Sequence, residues 1–229
     1  MSEPRYAIYA LPEPGSALED FGRSVLGFDT VTGEAVPHPP DLPDLAGVTV
    51  APRVYGFHAT LKAPMRLASG STEADLLAEV QRLAAAHPPV AVGELTVAAL
   101  CRFLALIPVA APSALALLAA ECVAALDPLR APLTEAEIAK RRPERLSPRG
   151  RALLDRWGYP HVFEEFRFHM TLTDALPEEA LEGWRARLAE AYAGRGAGPL
   201  TIASLGVLSQ EVGRPFRLLA RVPFGNGDA

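Results

Sequence analysis

YGFHATLK, residues 55–62, and FRFHMTLT, residues 166–173, share a Phe-His-x-Thr-Leu core in a chain with only five histidines. In an extended strand, residues two apart share a face, so His58, Thr60 and Lys62 point one way while Phe57, Ala59 and Leu61 point the other. The second copy sorts identically. Arg167, His169, Thr171 and Thr173 share one face, and Phe166, Phe168, Met170 and Leu172 the opposite one. Each apolar face suits a core, and each polar face offers an imidazole, a hydroxyl and a cation, a set suited to an anion. One such copy alone is explained as well by a half-exposed strand histidine beside a threonine. Two copies of equal parity favour a shared cleft.

Working outward, each copy sits in a similar run of elements. RYAIYAL (5–11) reads as a strand stopped by Pro12, and the proline-rich stretch 37–52 as a surface connection. VYGFHATLKAP then gives a second strand. Ser71 or Thr72 caps a helix with acids in its first turn, ending before Pro88 and Pro89. Strands over 90–100 and 101–109 and a helix over 113–126 complete the first half. The second half adds a helical stretch, 133–160, before FRFHMTLT. It then resumes with a helix over 177–193 and strands over 200–210 and 216–224. The spacing predicts an α+β fold with antiparallel or mixed sheets in two lobes built alike, about 1–127 and 128–229, the second carrying an insertion at 133–160. No glycine-rich phosphate loop follows any strand, which argues against a doubly wound nucleotide fold.

The bulk numbers fit one compact unit. Across 229 residues, 49% are hydrophobic and 21% charged, far from the composition of disorder. The net charge of −5 gives no overall attraction for nucleic acid, so an anion site must be local. Cys101 and Cys122 are too few for a disulfide framework and read as reduced core residues of a cytoplasmic protein. MSEPRYAIYALPEPG lacks the apolar run of a signal peptide. The uncharged stretch 103–120 raises the question of a membrane span, but Pro108 and Pro112 divide it and Glu121 follows at once. A buried strand followed by a buried helix fits it better.

Two histidines across a cleft suit phosphoryl chemistry, in which one group accepts a proton on the attacking side and another donates one on the leaving side. An imidazole with a pKa near 6.5 serves either role around neutrality. The threonines, with Lys62 and Arg167, would hold the non-bridging oxygens. His58-Ala59-Thr60-Leu61 and His169-Met170-Thr171-Leu172 resemble the paired motifs of the 2H phosphoesterase superfamily. RYAIYAL, YGFHATLKAP, CRFLAL, LTEAEIAKRRPERL, WGYP and FRFHMTLT are similar to its phosphonate-metabolism-associated branch, labelled a domain of unknown function (DUF1045-like). The resemblance implies a bilobal α+β fold and metal-independent, cofactor-free hydrolysis of a small cyclic phosphodiester, a phosphoribosyl or nucleotide cyclic phosphate linked to phosphonate use. His58, Thr60, His169 and Thr171 would be catalytic. Two alternatives stand beside it: an RNA-end phosphodiesterase acting on 2′,3′-cyclic or 2′-5′ linkages at a short terminus, and a non-catalytic sensor of a phosphorylated metabolite.

Further candidates carry a bland reading beside the functional one. KRRPERLSPRGR (140–151) has six basic residues against one acid; it grips a phosphate, through Arg141 and Arg142, or is a solvated face. Tyr9, like Tyr6, Tyr55 and Tyr159, stacks on a base or sugar or fills the core. Arg102 is a cation in an apolar strand that enters the cleft or reaches solvent. His38, His87 and His161 read as surface residues. A metal site from His58, His169 and a carboxylate such as Asp174 is the weaker alternative, since neither motif supplies a paired ligand. No membrane or obligate protein partner is expected.

Overall fold

A computed structural model describes residues 3–195 and 198–225; Met1 and Ser2 of the N-terminal stretch lie outside it. Strand β1 (Arg5–Ala10) leads into helix α1 (Ala17–Leu26), to which the sequence reading assigned nothing. Ser16 accepts a hydrogen bond from the Glu19 amide at its start, and Gly27, at φ 69°, ends it. Leu18, Phe21, Gly22, Val25 and Leu26 form its buried stripe. Gly22 is needed there, because a Cβ would fall 1.9 Å from the Phe57 ring, next to His58.

The proline-rich 37–52 stretch is more than a connection. It holds a 3-10 turn (Pro43–Gly47) that buries Leu45 and opens helix α2 (Val50–Tyr55). The strand expected from residue 54 therefore starts later, as β2 (Ala59–Met65). Helix α3 (Glu73–Ala85) begins with a capping box between Thr72 and Asp75. Strands β3 (Val90–Gly93), β4 (Leu95–Leu100) and β5 (Phe103–Pro108) and helix α4 (Ser113–Leu126) follow. The stretch 103–120 is thus a strand and a helix start, and among the described residues no helix is long and apolar enough to cross a membrane. Short helices α5 (Glu135–Lys140) and α6 (Pro148–Trp157) fill the helical stretch. Strand β6 (Met170–Thr171), helix α7 (Glu178–Ala193) and strands β7 (Leu200–Ile202), β8 (Ser204–Gln210) and β9 (Arg217–Pro223) complete the order.

The sheet topology corrects the expectation of two pseudo-symmetric lobes, each with its own sheet. Seven strands form one sheet in the order β4-β5-β6-β2-β1-β8-β9, and β3 and β7 pair separately. Every pairing is antiparallel. The two motif strands are neighbours, with Ala59 opposite Met170, so they cannot face each other from separate sheets. Strands from the two sequence halves interleave. One face of the sheet carries Ile8, Ala59, Leu61, Leu104, Leu106, Met170 and Leu172 into the main core, where Phe21, Leu76, Leu118 and Leu188 of the helices meet them. On the other face Ala7, Tyr9, Leu11, Leu208 and Phe216 form a smaller cluster.

Candidate functional site

His58 lies between Gly56, at φ 74°, and the start of β2. Its Nδ1 is 2.8 Å from the Gly56 carbonyl and its Nε2 3.1 Å from Thr60 Oγ1. A carbonyl only accepts, so Nδ1 carries the proton and the Thr60 hydroxyl donates to Nε2. The ring stacks on Tyr9 with centroids 3.6 Å apart and planes 19° from parallel. Burial lowers the His58 pKa to about 4, against the Gly56 hydrogen bond, and the charge of His169 lowers it further. Near neutrality His58 is an uncharged acceptor.

His169 repeats the device. Its Nδ1 is 2.7 Å from the carbonyl of Arg167, again two residues back, and its ring is 5.8 Å from that of Phe103. The locked tautomer leaves Nε2 free to meet a ligand. Carrying the Ala59–Met170 register one residue either way sets His58 across from Thr171 and Thr60 across from His169. A cavity of about 600 Å3 opens here, with Thr60, Tyr159, His161, Glu165, Arg167 and His169 in its wall. His58 is not in that wall and meets the cavity through Thr60; Thr171, half-buried beside His169, is not in it either.

The expected cations divide. Arg167 is exposed on the cavity wall and in no ion pair among the described residues. Arg141 lies over the Tyr159 ring, 4.7 Å from its centroid. Lys62, by contrast, is a correction. A bulge pairs Ile8 with Lys62 but Tyr9 with Thr60, so one extra residue of β2 breaks the alternation after Leu61. Lys62 therefore turns to the core face, buried, with Nζ 3.0 Å from the Val123 carbonyl and 3.6 Å from Asp127. Burial lowers its pKa to about 8 despite Asp127.

Arg102 is corrected too. It lies in the two-residue turn joining β4 to β5, outside any strand, and donates to the Leu176 carbonyl at 3.2 Å. Arg142 is exposed, at φ 49°, and away from the cavity wall. Asp174 accepts from the amides of Val50 and Ala51 at 2.8 and 2.9 Å, which makes it the cap of α2. Among the described residues no group of three or more His, Cys, Asp or Glu side chains is placed to hold a metal ion. Cys101, expected in the core, is exposed in the hairpin turn on the cavity wall, whereas Cys122 is buried.

His161, read as a surface residue, is exposed and also stands in the cavity wall. Its pKa is lowered by burial, raised by Glu165, and lowered by the charges of His169, Arg141 and Arg167. Three basic groups, His161, Arg167 and His169, thus stand in one cavity wall with a single carboxylate, Glu165, and Arg141 stacks on Tyr159 of the same wall. The signal in sequence was its place in WGYPHVF, nine residues before the second motif begins to pair at Met170.

A family model described as "Protein of unknown function (DUF1045)" matches residues 60–217. The chain belongs to the DUF1045 family. It is 41% identical over 234 aligned positions to a protein of Janthinobacterium sp. (strain Marseille) named ribose 1,5-bisphosphate phosphokinase PhnN, covering 98% of this chain and 52% of that protein. A protein of the same name from Laribacter hongkongensis (strain HLHK9) is 39% identical over 218 positions, covering 93% of this chain and 50% of its own length. The chain spans about half the length of the curated relatives it matches. A solved structure of a conserved protein of unknown function from Agrobacterium tumefaciens aligns with a TM-score of 0.45 at 14% identity, over 96% of this chain and 86% of that one.

Membership of DUF1045 replaces the wider 2H phosphoesterase placement and what it implied. The expected enzyme, a hydrolase opening a cyclic phosphodiester, and the RNA-end phosphodiesterase beside it give way, because the relatives bear the name of phosphoryl-transferring enzymes.

Proposed function

We propose that this chain binds a phosphorylated ribose in the cavity over β2 and β6 and serves phosphoryl transfer on it. The observation that carries the reading is the local basic field. A chain of net charge −5 sets His169, Arg167 and His161 in the wall of one cavity, and Arg141 stacks on Tyr159 of the same wall. The relatives' name, ribose 1,5-bisphosphate phosphokinase, supplies a substrate that such a field suits. Since the chain spans about half of those proteins and contains no Gly-Lys pair, as a nucleotide-cradling P-loop requires, its part is argued at the sugar phosphate.

Arg167 and Arg141 supply planar forks for phosphate oxygens. His169, oriented by the Arg167 carbonyl, donates from Nε2 to a phosphoryl oxygen when protonated and accepts there from a ligand hydroxyl when neutral. The Thr60 hydroxyl, bonded to neutral His58, turns its remaining lone pairs to the cavity and passes a proton to His58 when a ligand group delivers one. Fixed groups of this kind stabilise charge on a transferring phosphoryl without reorganising.

The test is calorimetric titration of ribose 1,5-bisphosphate into the parent, His169→Ala and Arg167→Ala. Saturable binding is expected in the parent. Each variant should bind at least about tenfold more weakly, the usual worth of a charge-assisted hydrogen bond. Absence of binding to the parent, or unchanged affinity in both folded variants, would overturn the reading.

A further inference from the structure

Glu165 is the single carboxylate in the cavity wall, where it stands with three basic side chains, His161, Arg167 and His169. None of the three lies within ion-pair distance of it, and its side chain makes no hydrogen bond among the described residues. Its neighbour behaves differently, since Glu164 is exposed and pairs with Arg149. The backbone makes this division. The 3-10 turn Phe163–Glu165 opens with Phe163 at φ 53°, a left-handed conformation that few aromatic residues adopt. The Glu165 amide donates to the Val162 carbonyl at 3.1 Å and the Phe166 amide to the Phe163 carbonyl at 3.0 Å, which fixes the turn. Of two consecutive acids, Glu164 is thereby left to solvent and Glu165, half-buried, to the cavity. A carboxylate repels phosphate and only accepts hydrogen bonds. In a cavity that takes an anion, its use requires a ligand group that donates.

We infer that Glu165 reads the ring hydroxyls of the sugar and makes the cavity selective for a ribosyl over a 2-deoxyribosyl phosphate. The inference rests on the phosphorylated-ribose reading. Such a ligand presents acceptors at its phosphates and donors at its 2- and 3-hydroxyls. The wall matches both, because Arg167 and the protonated histidines donate, and Glu165 is its one side chain that can only accept. The two carboxylate oxygens take the O–H groups of a vicinal diol, one each, in charge-assisted hydrogen bonds. The segment from His161 to His169 supplies both kinds of group, so phosphate and diol are gripped from the same side. A sugar without its 2-hydroxyl gives up one of these bonds and keeps the repulsion between carboxylate and phosphate. Glu165 is thus a specificity residue that touches the sugar, and the histidine pair remains the reacting end.

Calorimetry with ribose 1,5-bisphosphate and 2-deoxyribose 1,5-bisphosphate, on the parent, Glu165→Ala and Glu165→Gln, tests it. The parent should bind the ribose compound at least about tenfold more tightly. That preference should fall to within about twofold in Glu165→Ala and by about fivefold in Glu165→Gln, whose amide accepts without charge. In neither variant should the deoxy compound bind more weakly than it does to the parent, because the repelling charge is gone. The glutamine variant keeps the shape of the side chain and decides the question if the alanine variant melts early. Equal affinity of the parent for the two sugars would overturn the inference while leaving the cavity reading intact. So would variants that shift both sugars equally, since a carboxylate that only balances charge strengthens both on removal and one that only holds the turn weakens both. If neither sugar binds the parent, both readings fail together.

Discussion

His58 is held between a carbonyl on one nitrogen and a hydroxyl on the other, with its face on Tyr9, and burial there favours the uncharged ring over the opposing pull of the Gly56 hydrogen bond. Its pKa falls from 6.5 to about 4 in the folded protein. As pH drops below 6.5 the unfolded chain takes up a proton that the folded chain refuses until about 4. The unfolded state then binds more protons, so the stabilisation present above 6.5 is lost progressively down to about 4, with a slope of at most about 1.4 kcal/mol per pH unit. Urea melts of the parent and His58→Gln between pH 7 and 4 check this, the difference cancelling the share of other groups such as His161. The parent should lose stability faster than the variant. Parallel curves would mean that His58 is freely protonated in the folded state. The motif was legible in the sequence at this scale, but its electrostatics were not. Burial and a histidine 111 residues away hold His58 neutral, and no local pattern encodes either.

At the scale of elements, alternation along a strand was legible as far as the backbone stayed regular. It placed Phe57, Ala59 and Leu61 in the core and failed one residue later, where the bulge turned Lys62 inward. A bulge is set by the pairing of two strands, so the side chains of one strand do not announce it. Other misses have the same origin. Asp174 caps a helix 124 residues earlier, and Arg102 joins a hairpin whose turn needs Cys101 at φ 55°. Local devices were readable, as with the Thr72 capping box. Lys62→Met tests the correction. Asp127 keeps Arg130 at 2.8 Å and Arg156 at 2.6 Å, so removing the ammonium does not leave it uncompensated. A thioether of similar length fills the space without the cost of burying charge. Stability should change by less than about 1.5 kcal/mol in urea melts, and ribose 1,5-bisphosphate affinity by less than about twofold. A tenfold loss of affinity in a stable variant would restore Lys62 to the anion site.

For the whole molecule, the repeated order of elements was real information that led to a wrong arrangement. Sequence order shows which strands exist; which strands become neighbours is set by non-local pairing and by the surface each face must bury. Here β6, from the second half, sits between β5 and β2 of the first, and β8 pairs with β1. Division at residue 127 would strip β2 and β5 of the strand between them and leave β1 without one neighbour. The fragment 1–127 would expose three broken strand edges of the seven-stranded sheet and the core faces of Leu61 and Leu106, which pack in one cluster with Met170 and Leu172. The fragment 128–229 would hold β8 and β9 as a bare hairpin, too small a sheet to stand alone. Expressed separately, neither fragment should give a cooperative thermal transition by circular dichroism, whereas the intact chain should melt in one step. Mixing the two should recover some native signal if the interleaved sheet is the folding unit. A cooperative transition in 1–127 alone would show instead that the first half buries a sufficient core by itself, with the second half docking onto a sheet already formed.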